Sequence, residues 1–292
     1  MMLNPIMPMP GTMGGARIIF KIPMIKKTKI GFVGHGFVGS AISNVYTSEF
    51  LSDVIIVDPG KGFTGTYNDL ADADGVFVCV PSPQGDDGVC DTSILEDVLT
   101  NLKKVNFRGV IISKVTAPPQ VYRRLQAEYF NLVHAPEFLT AANAKFDYLR
   151  SSFAIIGGEL SVYKNEAERI IKMGLPQLSN IVHCSIEEAS LAKYTINTFL
   201  ATKVIFMNEI AKLADNLGCD YKAVSSMVNL DTRIGTSHMQ VPGPDGAYGF
   251  GGMCFPKDTA ALLTIAKEAG TDMQVLDAAV KKNTLLRLTE PK

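Results

Sequence analysis

The chain has 292 residues, 28 Lys+Arg against 29 Asp+Glu, and 47% hydrophobic residues with no Trp, enough for one large or two ordinary domains. A formal net charge of -1 without a long basic run argues against a nucleic-acid binder, and no apolar stretch approaches the roughly 20 residues of a membrane span. The five cysteines (Cys79, Cys90, Cys184, Cys219, Cys254) are odd in number and never form a CxxC pair, which predicts a reducing, cytoplasmic setting and no disulfide framework.

Residues 1–27 hold Met1, Met2, Met7, Met9, Met13 and Met24 together with Pro5, Pro8 and Pro10, and they show little periodicity. They are expected to be a disordered extension upstream of a start at Met24. From Lys29 a βαβ pattern begins. Lys29–Val33 is a short β-rich run, Gly34 to Gly39 forms a glycine-rich turn, and a helical stretch follows near 38–47. Val54–Val57 is the next apolar run, and it ends at Asp58. Gly75–Val80, Val110–Ser113, Asn131–His134 and Phe153–Ile156 read as further buried strands, with helices near 91–104 and 119–129 between them. Short apolar strands alternating with helices predict a parallel sheet covered on both faces, a doubly wound Rossmann-like α/β domain over residues 28–184.

Beyond residue 184 the pattern becomes helical. Ser185-Ile186-Glu187-Glu188 matches a capping box, and Gly218 is a natural stop. The stretch between contains neither Gly nor Pro, which predicts one helix of about 48 Å. One apolar stripe runs Phe199, Phe206, Ile210, Leu213, Leu217, and another runs Ile196, Leu200, Val204, Met207, Ala211, Ala214. So wide an apolar surface is expected to be buried on more than one side, with this helix lying between two bodies in a homodimer. Two more helices are expected near 258–269 and 273–287, so residues 185–292 read as an all-helical domain built on the long helix.

Gly34-x-Gly36-x-x-Gly39 follows a strand, opens a helix, and has Asp58 at the end of the second strand. In that context the first glycine permits the tight turn, the second lets backbone approach a pyrophosphate, and the third lets helix and strand pack closely. Amides of Phe37, Val38 and Gly39 at the helix start would meet the negative charge. An acidic Asp58 accepts ribose hydroxyls and repels a 2′-phosphate, which favours NAD over NADP. His35, His134, His183 and His238 show no metal-ligand spacing, so no metal is expected.

The most informative segment is Asp231-Thr-Arg-Ile-Gly235 followed by Gly249-Phe-Gly-Gly-Met-Cys-Phe-Pro-Lys-Asp258. A cysteine in a glycine-rich turn just before a helix start is a candidate nucleophile, and Gly251 and Gly252 are expected to leave ligand space beside its sulfur. With this block the chain resembles the UDP-glucose/GDP-mannose dehydrogenase family, whose signature around its cysteine reads GFGGSCFPKD. The likeness spans roughly residues 29–288. Val80-Pro-Ser-Pro83 with Gly88-Val-Cys-Asp91 resembles the family's VPTP…GxxD loop, and Thr116 before Pro118 and Pro119 resembles its STVPPG turn. Ala135-Pro-Glu-Phe-Leu139 resembles SPEFL, and Lys193-Tyr-Thr-Ile-Asn197 with Asn208-Glu209 resembles its long-helix block.

The resemblance implies a four-electron oxidation of the C6 alcohol of a nucleotide sugar, UDP-linked glucose above all, with two NAD⁺ and a thioester on Cys254. It implies catalytic roles for Cys254, Lys193, Asn197, Asp258, Thr116 and Glu137, and cofactor contacts that add Pro81, Ser82 and Thr116 to the glycine loop. It implies substrate contacts at Glu137, Phe138, Leu139, Lys193, Asn197, Phe250 and Gly251, and at Arg233 supplied by a neighbouring subunit. Lys193 and Asn197, four apart, share a helix face and can bond one oxygen anion. Departures are Ala141 where the family has a second glutamate, Met253 in place of Ser, and an end at Lys292 before the family's second α/β domain, which holds the nucleotide. Two other readings stay open. One is a two-electron β-hydroxyacid-type dehydrogenase, which also uses a Lys-xxx-Asn pair but has no need of the cysteine block. The other is a catalytically impaired NAD-binding remnant. Taken singly, Lys193 and Asn197 also suit an ordinary polar helix start, Arg233 a surface charge and Glu137 a strand-end carboxylate.

Overall fold

The computed structural model describes residues 27–47, 52–85, 88–140 and 142–289. The expected extension, Lys27 apart, and the Ala141 departure therefore lie outside the described residues. Among the described residues, seven strands form one sheet: β1 (Thr28–Val33), β2 (Ser52–Val57), β3 (Gly75–Val78), β4 (Val110–Ser113), β5 (Leu132–His134), β6 (Phe153–Gly157) and β7 (Asn180–Cys184). Their order is β2-β1-β3-β4-β5-β6-β7. The chain leaves β1 to one side to form β2 and then returns to the other side to form β3. The crevice beyond the carboxyl ends of β1 and β3 is therefore the topological switch point, where open α/β sheets take their ligands.

Alternate residues of the central strands feed two cores, because successive side chains in a strand point to opposite faces. Val33, Val76, Val78, Ile111 and Leu132 pack with Leu95, Leu99 and Leu102 of α2 (Ser93–Lys104) and with Tyr122 and Leu125 of α3 (Pro119–Glu128). Ile30, Phe32, Phe77, Ile112 and Val133 pack with Ile42 and Tyr46 of α1 (Phe37–Tyr46) and with Ile170 and Ile171 of α5 (Ser161–Gly174). Both faces of the sheet are thus covered, as the continuous apolar runs imply.

Two features depart from the expected parallel sheet. β6 runs antiparallel to β5 through the single pair His134↔Gly157, and β7 then pairs parallel to β6. The link from β5 to β6 carries the six-residue α4 (Ala144–Leu149) and is as long as the β4–β5 link that joins parallel neighbours, so the reversal is not a matter of chain length. β7 itself is absent from the sequence reading because it is a half-exposed edge strand with no buried alternation. Helix α5 also escaped that reading, although Ala167, Ile170, Ile171 and Gly174 are buried at helical spacing.

α6 spans Ile186–Asn216, and α7 (Tyr221–Val228), α8 (Phe255–Glu268) and α9 (Gln274–Thr289) follow. The helical half follows the pattern except for α7, which no expected helix covers. Ser185 Oγ accepts from Glu188 N at 3.2 Å, while the Glu188 carboxylate accepts from Ser185 N at 2.8 Å, closing the capping box. One face of α6 is buried through Ala201, Ile205, Met207, Ala211 and Ala214. The stripe Phe199, Phe206, Leu213, Leu217 instead faces outward, with Phe199 65% and Phe206 59% exposed. α8 begins three residues earlier than its expected start, so Cys254 is itself the N-cap and Pro256 lies in the first turn, where a missing N–H costs nothing.

Removing the capping hydroxyl tests this account of where α6 starts. Ser185→Ala should lower stability by about 1 kcal/mol in chemical denaturation with an unchanged m-value, and an unaltered midpoint would refute the cap's contribution.

Candidate active site

Two of the three glycines of the first loop are required by its geometry, and the third leaves it open. Gly34 has φ +87°, and a Cβ there would lie 2.8 Å from the Cys79 carbonyl oxygen. A Cβ on Gly39 would lie 2.2 Å from Gly34 O, which is the close approach of helix to strand. A Cβ on Gly36 would meet nothing within 4 Å, so the loop is open there. Gly36 is also the N-cap of α1 and brings no side-chain acceptor, which leaves the amides around the half-buried Phe37 and Val38 available to an anion. Asp58 reaches over from the end of β2, and its Oδ2 accepts from His35 N at 2.7 Å. These residues fit a dinucleotide: an uncapped helix start, an open glycine and a carboxylate beside them.

A second cluster gathers on one face of α6. Lys193 is only 3% exposed. Its Nζ donates to the carbonyl oxygen of Glu137 at 2.5 Å and to Glu137 Oε1 at 3.2 Å, and it sits 5.2 Å from the Phe138 ring. The other carboxylate oxygen, Oε2, accepts from Leu139 N at 2.6 Å, which shapes the turn after β5. One helical turn further on, Asn197 Nδ2 donates to Asp258 Oδ2 at 2.6 Å. Lys257 Nζ donates to Asp258 Oδ1 at 2.5 Å, so this carboxylate, 1% exposed, is satisfied at both oxygens. Lys193 and Asn197 therefore each hold a separate carboxylate, one from the sheet side and one from α8.

Cys254 lies at the start of α8, and its carbonyl accepts from Asp258 N at 2.8 Å. Burial pushes its thiol up from the ordinary value; Lys193 and Lys257 pull it down, and Asp258 and Glu137 push it up. Lys114, in the turn after β4, was missed by the sequence reading, although a lysine closing an apolar strand is itself a signal. Burial pushes its ammonium down to about 8, and it feels Cys79, Glu137 and Lys193. His134 is fully buried beside it and is pushed down to about 3, so its ring is neutral.

The loops behind the cluster are tied together by hydroxyls and a thiol. Ser82 Oγ donates to the Thr116 carbonyl at 2.7 Å, with Cys90 Sγ 3.4 Å from the same oxygen. Ser190 Oγ on α6 donates to the Ala117 carbonyl at 2.6 Å. The remaining expected site residues differ in their burial. Pro81 is exposed. Arg233 is exposed in the loop after α7 and pairs with Asp231 at 2.6 Å. Phe250 is 4% exposed and belongs to the core with Ala201, Ile205 and Ala279. Ligand space beside Gly251 is a misreading, because a Cβ there would lie 2.8 Å from the Arg287 guanidinium. Gly252, with φ +76° and nothing within 4 Å, does border open space.

Residues 60–173 match the NAD binding domain of the UDP-glucose/GDP-mannose dehydrogenase family, and residues 187–285 match its central domain. UDP-glucose 6-dehydrogenase of Rickettsia bellii is 36% identical over 233 residues, 76% of this chain and 52% of that protein. UDP-glucose 6-dehydrogenase TuaD of Bacillus subtilis is 31% identical over 255 residues, covering 82% and 53%. Among solved structures, a UDP-glucose dehydrogenase from Pyrobaculum islandicum superposes with a TM-score of 0.74 at 25% identity, covering 88% of this chain and 68% of that one. Mycobacterium tuberculosis 3-hydroxyisobutyrate dehydrogenase shares the fold with a TM-score of 0.68 at 20% identity, covering 87% and 92%. The chain spans about half the length of the curated relatives it matches. With both domains matched in order, the chain belongs to the UDP-glucose/GDP-mannose dehydrogenase family, and its cofactor is NAD.

Proposed function

We propose that this chain acts in the NAD-dependent oxidation of the C6 alcohol of UDP-glucose to the carboxylate, through a thioester on Cys254. The observation that carries this reading is Cys254 at the start of α8, under the opposing influence of two lysines and two carboxylates drawn from β5, α6 and α8. The printed activities of the Rickettsia and Bacillus relatives support the substrate. In this reading residues 28–184 form the cofactor domain and residues 185–292 the helical domain. The setting is reducing and cytoplasmic, in keeping with five free cysteines.

Gly34, Gly36, Gly39, Phe37 and Val38 would hold the dinucleotide phosphates, Asp58 a ribose, and Pro81, Ser82 and Thr116 would line the cofactor's reactive end. Bound NAD⁺ supplies the oxidising power, two electrons at the alcohol and two more at the aldehyde level. The chain's own residues do the rest. The Cys254 thiol gives its proton to water and its sulfur adds to the aldehyde carbon, forming the S–C bond while the carbonyl electron pair moves to oxygen. Lys193 Nζ and Asn197 Nδ2, released from their carboxylates, donate to that oxygen anion. In hydrolysis, water adds to the thioester carbon, the C–S bond breaks, and Cys254 leaves as thiolate. Asp258 accepts the proton of the water, with Thr116 and Glu137 orienting it. Glu137, Phe138 and Leu139 line the sugar site, and Phe250 backs it from the core.

A second copy completes the site in this reading. The exposed seven-residue repeat Phe199, Phe206, Leu213 on α6 is the seam of a homodimer, and the partner brings its arginine from the loop after α7, as the exposed Arg233 would do in return once it leaves Asp231.

Incubation with UDP-glucose and NAD⁺ should give two NADH per sugar consumed, and Cys254→Ser should yield no carboxylate. One NADH per sugar, indifferent to Cys254, would sink the reading in favour of two-electron chemistry. The raised Cys254 thiol is mostly protonated at neutral pH, so its alkylation should quicken about tenfold per pH unit as pH climbs toward its pKa. Lys193→Ala removes a cation that pulls the thiol down and should move that profile to higher pH; a shift to lower pH contradicts the assigned electrostatics. Phe206→Asp should convert the protein to monomers in sedimentation velocity, and an unchanged sedimentation coefficient would remove α6 from the interface.

A further inference from the structure

The two residues that open the cysteine block have an unusual set of backbone partners. Gly249 N donates to Asn208 Oδ1 at 3.0 Å, and Phe250 N donates to Asn283 Oδ1 at 2.7 Å. The Gly249 carbonyl accepts from an Arg287 Nη at 3.0 Å, and the Phe250 carbonyl accepts from Arg287 Nε at 3.1 Å. All four polar groups of Gly249 and Phe250 are thus answered by side chains, one from α6 and two from α9. The other Nη of Arg287 donates to Asp245 Oδ2 at 2.7 Å, which anchors the loop further upstream. Asn283 and Arg287 are four apart and share a face of α9. Two of the glycines leave room for these side chains: a Cβ on Gly249 would lie 2.3 Å from Asn283 Oδ1, and one on Gly251 would lie 2.8 Å from Arg287.

We propose that Arg287, with Asn283 and Asn208, is a positioning residue for Cys254: it fixes one end of the loop whose other end is fixed by α8. Only Gly251, Gly252 and Met253 separate Phe250 from the sulfur-bearing residue, and Gly252 meets no neighbour within 4 Å. A loop this short, with a glycine free to swing, holds the sulfur in place only if its upstream end cannot move. The planar guanidinium suits that task because it donates in three directions at fixed angles, which an ammonium cannot do. The inference deepens the proposed function, but its main readout does not depend on it.

The test uses the full chain and measures the rate of Cys254 alkylation by iodoacetamide, read by peptide mass spectrometry against the exposed Cys219 as internal reference. Arg287→Ala should raise the Cys254-to-Cys219 ratio at least several-fold, Arg287→Lys should behave like Ala, and added guanidinium should restore the ratio in Arg287→Ala alone. Gly251→Ala should displace the guanidinium and give the same ratio, with the double variant no worse than either single one. In turnover with UDP-glucose and NAD⁺, kcat should fall up to about 100-fold while KM for NAD⁺ stays constant, as expected of a misplaced nucleophile. Ratios within twofold of wild type, rescue by lysine, or multiplicative effects of Gly251→Ala and Arg287→Ala would each overturn the proposal. If Arg287→Ala fails to fold, Arg287→Lys and Gly251→Ala decide by the same ratio. A wild type inactive on UDP-glucose would count against the proposed function, while the alkylation ratios would still judge Arg287.

Discussion

A lysine buried among apolar helices must find a partner, and the partner of Lys193 lies outside its own half of the molecule. Its ammonium reaches both the carbonyl and the carboxylate of Glu137, in the turn after β5. Removing one member of such a buried pair typically costs about 3–5 kcal/mol, because the other charge is left stranded. The same helix face offers Asn197 to Asp258 one turn later. α6 is therefore a spine with two polar pegs, one locking the sheet to it and one locking α8. The positions of Cys254, of the turn after β5 and of the loop after β4 all follow from that spine.

Much of this was legible in the sequence because the signals are local. The capping box at Ser185 and the glycine-free run after it gave the start and length of α6 within a residue. The glycine spacing from 34 to 39 and the acid at 58 located the switch point, since turn, anion site and helix packing are demands of adjacent residues. The four-residue spacing of Lys193 and Asn197 placed both on one face, but it implied a shared target, whereas in the folded chain each has its own carboxylate.

What escaped reading depends on residues distant in the chain. The reversal of β6 rests on a single pairing of His134 with Gly157 that no local pattern marks, and β7 is an edge strand whose exposed residues carry no burial rhythm. Arg287 looks like any helix-surface arginine until its partners, some 40 residues upstream, are known. Gly251 was read as room for a ligand, whereas a guanidinium fills the space. A missing Cβ is visible in sequence, but whatever occupies the vacated volume is not.

The hydrogen bond from His35 N to Asp58 makes cofactor choice and loop geometry inseparable. The carboxylate proposed to face the ribose is also the acceptor that pins the glycine loop at its second residue. Exchanging it for a small or basic side chain frees room for the phosphate and strips that amide of its partner in the same step. Redesign of this chain toward a phosphorylated cofactor is therefore a two-site problem, in which a new acceptor for the His35 amide must accompany any new cation.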